Sequence, residues 1–129
     1  CNGKSLAVSG AKELRNALVA TGFPYQKTAL TPIIERVSRI LHHCQDVRRN
    51  GSAALDLCWV AAGRLDAYFE SVKPWDMAAG VLIAKEAGAR VGCYLSRVSE
   101  WPDVVNGEGL LVSSPQLYDD LLALVDLDL

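Results

Sequence analysis

Short strand-like segments alternate with helical segments along this 129-residue chain. The predicted strands are four to six residues long, and they are Ser5–Val8, Ala17–Thr21, Asp46–Arg49, Leu65–Glu70, Arg90–Tyr94 and Leu110–Ser113. The predicted helices lie at residues 11–16, 32–44, 52–62, 74–87 and 115–125. This alternation predicts a layered α/β fold with helices packed on a largely parallel, mixed sheet. The length fits one domain, so we expect residues 1–129 to form a single domain.

Residue types at the helix ends support these boundaries. Thr31, Ser52 and Ser114 precede helical segments and are predicted N-caps, because their hydroxyl groups can accept hydrogen bonds from free helical N–H groups. Gly63 and Gly88 follow two of the helices and are predicted to end them. Residues 96–108, rich in turn-forming residues, are predicted to be an exposed loop, and residues 127–129 a frayed tail.

The first residues predict a chain that begins within a fold. Asn2-Gly3-Lys4 is a hairpin turn signal before the strand Ser5–Val8, and the other strand of that hairpin would lie before residue 1. The chain also begins with a cysteine instead of an initiator methionine. We therefore expect it to be part of a longer protein.

Composition and charge exclude several classes of function. Half of the residues are hydrophobic and 22% are charged, which is typical of a globular domain. The formal net charge is −2 without a basic stripe, so we expect no nucleic-acid partner. Apolar stretches such as 53–62 are too short to cross a bilayer, and no signal peptide pattern opens the chain, so we expect no membrane association.

Four cysteines are spread along the chain without a CxxC pair: Cys1, Cys44, Cys58 and Cys93. We expect free and mostly buried thiols in a reducing, cytoplasmic environment. Residues 42–44 are two histidines followed by Cys44, and these residue types could indicate a metal site. Adjacent residues of a helix point in different directions, so we reject that interpretation.

The first candidate for a binding site is the junction between a predicted strand and a predicted helix at residues 48–54. A helix start attracts anions through its free N–H groups and dipole, and Gly51 would let a ligand approach the backbone. Arg48 and Arg49 add positive charge in a planar form that suits phosphate. The alternative is purely structural: Ser52 caps a helix while the arginines are solvated or pair with Asp46. The junction alone favours this alternative.

The second candidate is the helix start that contains Asp76. A carboxylate at that position can bind a hard cation such as Mg²⁺, although stabilisation by the helix dipole explains it equally well. Glu70 ends the preceding strand and could face the same cleft, since ligands collect near the carboxyl ends of strands. The alternative for Glu70 is a surface carboxylate at the boundary of an element.

Taken in order, these segments resemble the second half of the inositol monophosphatase family. The blocks that carry the resemblance are residues 51–58 (GSAALDLC), 60–68 (VAAGRLDAY), 75–80 (WDMAAG) and 86–88 (EAG). The resemblance extends to the start of the chain, to the TGFP stretch at 21–24 and to the closing strand and helix. It therefore covers essentially the whole chain.

The resemblance implies the C-terminal half of an α/β/α/β/α sandwich with Mg²⁺-dependent phosphomonoesterase activity. It assigns Asp76 to the catalytic centre as a metal ligand near the leaving group of the substrate, and Glu70 to the substrate hydroxyls. An arginine just before the glycine-serine pair, Arg48 or Arg49, would contact the substrate. The pocket-lining residues implied are Gly51, Ser52 and Ala53.

Departures from the family pattern limit these implications. The remaining metal carboxylates belong in the family to an upstream glutamate and a DPIDGT-like motif, and neither occurs in this chain. The loop between Glu70 and Asp76 is one residue shorter than usual, and an aspartate that often follows the glycine at 88 is missing. We therefore expect weak Mg²⁺ binding and negligible phosphatase activity from this chain alone.

The resemblance does not fix the substrate, the partner or the role of the chain. The substrate could be inositol monophosphate, fructose 1,6-bisphosphate, histidinol phosphate or 3′-phosphoadenosine 5′-phosphate. We expect the chain to work with an N-terminal half or a second copy of itself. The alternative to an enzyme half is a non-catalytic binding or regulatory module that associates with a partner chain. A nucleotide-binding α/β domain is disfavoured because no glycine fingerprint is present.

Overall fold

A computed structural model describes residues 1–96 and 100–128 of the chain. Its helices are α1 (Thr31–His43), α2 (Ala53–Ala61), α3 (Pro74–Glu86) and α4 (Tyr118–Val125). Its strands are β1 (Leu18–Thr21), β2 (Asp46–Arg48), β3 (Ala67–Glu70), β4 (Arg90–Cys93) and β5 (Leu110–Ser113). Short 3₁₀ turns cover Leu14–Asn16, Asp103–Val105 and Pro115–Leu117.

The strands form one mixed sheet in the order β2-β1-β3-β5-β4. β1 lies between β2 and β3 and is parallel to both, and Val19 is paired with Val47 on one side and Ala67 on the other. β5 is antiparallel to β3 and to β4. All strands except β5 therefore run in one direction, which confirms the predicted largely parallel, mixed sheet.

The two faces of the sheet bury separate apolar cores, because alternate side chains of a strand point to opposite faces. On one face Val19 and Phe69 pack with Ile40 of α1 and Leu121 of α4. On the other face, side chains of the same strands pack against α2 and α3; they include Ala20, Tyr68, Leu57 and Val81. The predicted α/β layering is thus confirmed, with a pair of helices on each face.

The predicted N-caps behave differently at the three helix starts. Ser52 caps α2 as predicted, because its Oγ accepts a hydrogen bond from the Leu55 N–H at 3.2 Å. The prediction for Thr31 is wrong: α1 already includes it, and Leu30 is the cap without a side-chain hydrogen bond. The prediction for Ser114 is also wrong, since a 3₁₀ turn follows it and its hydroxyl makes no cap hydrogen bond.

The beginning of the chain differs from its prediction. A turn at Asn2 and Gly3 is present, and the Lys4 N–H donates to the Cys1 carbonyl at 2.9 Å. The predicted strand at residues 5–8 does not form. No described strand pairs with this segment, and the Val8 N–H donates instead to the Ala87 carbonyl at the end of α3.

The cysteines carry free thiols, as predicted, but most of them are not buried. Only Cys44 is buried, Cys58 is half-buried, and Cys1 and Cys93 are exposed. The histidine rings at 42 and 43 bond back to carbonyls of α1, and the described residues contain no metal-binding group of three or more side chains.

Part of the predicted loop, residues 97–99, and the last residue of the predicted tail lie outside the described residues. The described part of the loop contains the 3₁₀ turn Asp103–Val105. No described helix combines the length and the apolarity needed to cross a bilayer.

Packing between α2 and α3 depends on a glycine. A Cβ atom on Gly80 of α3 would lie 2.7 Å from the Cβ atom of Leu57 on α2, and Leu57 is fully buried. A larger residue at position 80 would push the two helices apart, because close-packed interiors accommodate added atoms poorly.

We therefore expect Gly80→Val to lower the free energy of unfolding by about 1–3 kcal/mol. Ala79→Val is the matched control, because residue 79 is exposed on the same helix. This variant should lose only the stability that comes from helix propensity, about 0.5 kcal/mol. Urea denaturation of both variants measures the difference. Equal stabilities would contradict the proposed close contact.

Candidate functional site

The starts of α2 and α3 open on one cleft at the edge of the sheet. β2 and β3 run in the same direction, so the helices that follow them begin at the same edge. The cleft has a volume of about 290 Å³. Its lining residues are Thr21, Gly22, Phe23, Tyr25, Arg49, Gly51, Ser52, Ala53, Ala54, Asp56, Glu70, Val72 and Asp76. Of the predicted site residues, only Arg48 lies outside this set.

The two arginines before α2 have different environments. The Arg48 guanidinium pairs with the Asp46 carboxylate next to it on β2. Arg49 lines the cleft, with its guanidinium carbon 6.0 Å from the centre of the Phe23 ring. Within the described part of the chain Arg49 has no salt-bridge partner. Arg49 is therefore the arginine that a ligand in the cleft can reach.

Glu70, the last residue of β3, holds its carboxylate in a semi-buried position. Its Oε2 accepts a hydrogen bond from the Tyr68 hydroxyl at 2.5 Å. Burial raises the pKa of Glu70, and the nearby Asp56 and Asp76 raise it further, whereas the Tyr68 hydroxyl and Arg49 lower it. Because burial also raises the pKa of Tyr68, its hydroxyl remains a donor at neutral pH.

Gly22 makes room for this carboxylate. A Cβ atom at position 22 would lie 2.5 Å from each of the two Glu70 carboxylate oxygens, which is closer than atoms can approach. The sequence analysis included Gly22 in the family resemblance without assigning it a role. Its position directly after β1 is the signal that could have revealed it, since a glycine there often allows a close approach.

Asp76 lies in the first turn of α3, and its Oδ2 accepts a hydrogen bond from the Lys73 N–H at 3.1 Å. Carboxylate oxygens are the ligands that Mg²⁺ prefers, so the chemistry of Asp76 suits this ion. The described residues offer no group of three or more potential ligands, however. The fit to Mg²⁺ is therefore partial: this chain can supply some of the ligands and not a complete site.

Asp56 is a lining residue that the sequence analysis did not select, because it lies inside a predicted helix. Its side chain is only 1% exposed, and its Oδ1 accepts a hydrogen bond from the Asn50 amide at 2.8 Å. Burial raises its pKa, while Asn50 and the charge of Arg49 lower it. Asp56 thus links the floor of the cleft to the turn that carries Arg49.

The charges that line the cleft do not favour a phosphate by themselves. Three carboxylates, from Asp56, Glu70 and Asp76, face one guanidinium from Arg49, which gives a formal charge of −2 when all are ionised. A phosphate monoester is also an anion and would be repelled. A divalent cation in the cleft would cancel this excess negative charge, so the arrangement suits a phosphorylated ligand that binds together with a cation.

The fold and the cleft together define a layered α/β protein with an oxygen-rich site at two helix starts. The family model described as the inositol monophosphatase family matches residues 1–127. This chain therefore belongs to the inositol monophosphatase family.

Individual relatives agree with this assignment. The inositol-1-monophosphatase SuhB of Mycobacterium tuberculosis is 48% identical over 121 residues, which are 92% of this chain and 39% of the relative. The Nus factor SuhB of Vibrio cholerae is 44% identical over 117 residues, which are 89% of this chain and 42% of the relative. The chain thus spans about two fifths of the length of these curated relatives.

Solved structures agree on the fold. The extragenic suppressor protein suhB from Bartonella henselae superimposes with a TM-score of 0.86 and 28% sequence identity. This superposition covers 99% of the present chain and 49% of the Bartonella chain.

We expect Gly22→Ala to displace the Glu70 carboxylate, because the flexible end of that side chain yields more easily than the backbone. The displaced carboxylate should become more exposed, and losing burial, the largest cause of the raised pKa, should outweigh losing the hydrogen bond from Tyr68, so the pKa of Glu70 should fall towards its ordinary value. Carboxyl ¹³C NMR titration measures this pKa. Gly10→Ala is the control, since a Cβ atom there meets nothing within 4 Å. An unchanged pKa in Gly22→Ala would contradict the close contact.

Proposed function

We propose that this chain is the substrate-side part of a Mg²⁺-dependent phosphomonoesterase that acts on inositol monophosphate or a related sugar phosphate. The observation that carries the proposal is the shared cleft, in which Arg49, Glu70 and Asp76 converge at two helix starts. The name of the Mycobacterium tuberculosis relative, an inositol-1-monophosphatase, supports the same reaction.

Each side chain of the cleft has a distinct part in this proposal. Arg49 contacts the phosphorylated substrate, and the backbone of Gly51, Ser52 and Ala53 lies against it at the positive end of α2. Glu70 accepts hydrogen bonds from the hydroxyl groups of the polyol. Asp76 provides one oxygen ligand for Mg²⁺, which when bound supplies an activated water and neutralises charge on the phosphoryl oxygens.

We further propose that the chain needs additional residues for turnover. Asp76 alone cannot hold ions that normally share several carboxylates, and the described residues provide no fuller ligand group. The missing ligands would come from an N-terminal half of the same protein or from a second copy. In this proposal residues 1–129 form a single domain. The free thiols suit a reducing compartment, which supports a cytoplasmic location.

A second candidate is a regulatory module that binds a partner chain. The Vibrio cholerae relative is named as a Nus factor, which favours this candidate. Two large apolar side chains of α3 are also available for a partner: Leu82 is 60% exposed and Ile83 is 38% exposed. A regulatory role requires neither a cation nor Arg49, so a ligand-binding experiment separates the two candidates.

We expect the chain to bind inositol 1-phosphate weakly, and only when Mg²⁺ is present, because the cleft alone carries excess negative charge. Arg49→Gln should weaken this binding at least about tenfold, through loss of a charge-assisted contact. Arg48→Gln is the matched control and should have little effect, since Arg48 pairs with Asp46 outside the cleft. NMR titration of backbone amides measures all three affinities.

Two results would contradict the proposal. Binding that is independent of Mg²⁺ and equal in both arginine variants would favour the regulatory candidate. Clear Mg²⁺-dependent release of phosphate by the purified chain would show that the chain needs no further residues for turnover.

A further inference from the structure

Arg36 is a charged side chain that the proposed function does not use. It lies in α1, on the face of the sheet opposite α2 and α3, and is only 8% exposed. Its guanidinium carbon lies 4.7 Å from the centre of the Tyr94 ring. Charged side chains are seldom buried this deeply without a partner of opposite charge.

Within the described residues, the Arg36 guanidinium uses only one of its three nitrogens in a hydrogen bond. Its Nε donates to the Val125 carbonyl at 2.7 Å, at the last residue of α4. This contact satisfies a free carbonyl at a helix end and anchors α4 on α1. The terminal nitrogens have no hydrogen-bond or salt-bridge partner among the described residues. No buried side-chain nitrogen or oxygen there lacks a partner, so solvent must reach these donors.

Two openings beside Arg36 provide that access. A small cavity of about 100 Å³ lies between Arg36, Tyr94 and Ser71. An open groove of about 560 Å³ also includes Arg36 and Ser71 and extends to Thr28 and Leu127. The groove combines hydroxyl groups with apolar walls. Arg36 does not line the cleft that contains Asp76, and the groove shares none of its described lining residues with that cleft. The small cavity lies between the two, because Thr21, Gly22 and Glu70 line both it and the cleft.

We propose that the groove beside Arg36 binds an oxyanion, a phosphate or carboxylate group, through the terminal N–H groups of the Arg36 guanidinium. The guanidinium is planar and its Nε is anchored on the Val125 carbonyl, so its remaining donors form the fork that a two-oxygen contact requires. The hydroxyl group of Thr28 supplies a further donor, and the apolar walls suit a ligand with a hydrocarbon body. This inference does not depend on the proposed phosphatase function.

Asp128 places a negative charge beside the proposed anion site. Among the described residues that line the groove it is the only acidic one, and it is exposed, while Glu70 lines the neighbouring small cavity. Its carboxylate forms no salt bridge with Arg36 in the described structure. A negative charge at this position opposes anion binding, so its removal should strengthen binding.

The experiment is a titration of the chain with inorganic phosphate and with phenyl phosphate, followed by the ¹⁵N signals of the arginine Nε–H groups. We expect the Arg36 signal to shift with both probes, at a lower concentration of phenyl phosphate because of the apolar walls. Arg36→Gln should reduce the affinity at this site about tenfold or more. Asp128→Asn should increase it roughly two- to fivefold.

Arg39→Gln is the matched control, since Arg39 lies on the same helix but is paired with Glu35 at 2.7 Å. Its affinity should equal that of the unmodified chain. If Arg36→Gln proves unfolded by circular dichroism, Asp128→Asn and Arg36→Lys remain informative. The lysine variant keeps the charge without the planar fork and should bind more weakly than the unmodified chain. The proposal is overturned if the Arg36 signal does not shift when the probe is in roughly 50-fold molar excess over the protein, the range in which ligands of millimolar affinity saturate. It is also overturned if Asp128→Asn binds the probes no more tightly than the unmodified chain.

Discussion

Close packing between α2 and α3 determines where the chemistry of this chain can occur. Gly80 lets α3 approach Leu57 of α2, so the two helices lie side by side on one face of the sheet. The strands that precede them are parallel, and both helices therefore start at the same edge. Without this contact, Ser52 and Asp76 would be two unrelated helix ends. With it, their free N–H groups and side chains surround one cleft.

Carboxylates gathered in this cleft oppose stability and favour ligand binding. Burial raises the pKa of both Asp56 and Glu70, so their ionised forms are less favourable in the folded chain than in water. A raised pKa means that the stability these groups contribute is complete at low pH and is lost as the pH rises through the folded-state pKa. A cation bound in the cleft would offset this cost at neutral pH. Such a compromise between stability and function is common at binding sites.

The sequence predicted most of the elements because their signals are local. Apolar periodicity placed α1, and the serine at position 52 placed the start of α2 correctly. The strand at residues 5–8 was wrong because strand formation depends on a pairing partner, which local sequence does not reveal. Thr31 and Ser114 were misassigned as caps because a hydroxyl before a helical segment does not fix the backbone geometry that capping needs.

Most of the candidate site, like most of the secondary-structure elements, could be predicted from the sequence. Glu70, Asp76 and the residues after Arg49 could be selected from helix starts and the family resemblance. The choice between Arg48 and Arg49 required the structure, because only side-chain directions reveal the pairing of Arg48 with Asp46. Asp56 was not selected because it lies inside a predicted helix. Gly22 was not given a role, although its position after β1 is a signal, because its contact with Glu70 joins segments that are far apart along the chain.

The most direct test of the shared cleft is paramagnetic line broadening by Mn²⁺, which detects even weak cation binding. We expect Mn²⁺ with inositol 1-phosphate to broaden amide signals of two separate segments together, residues 51–54 and 74–77, before any others. Broadening of only one of these segments, or broadening centred on the exposed histidines of α1, would contradict a common site at the two helix starts.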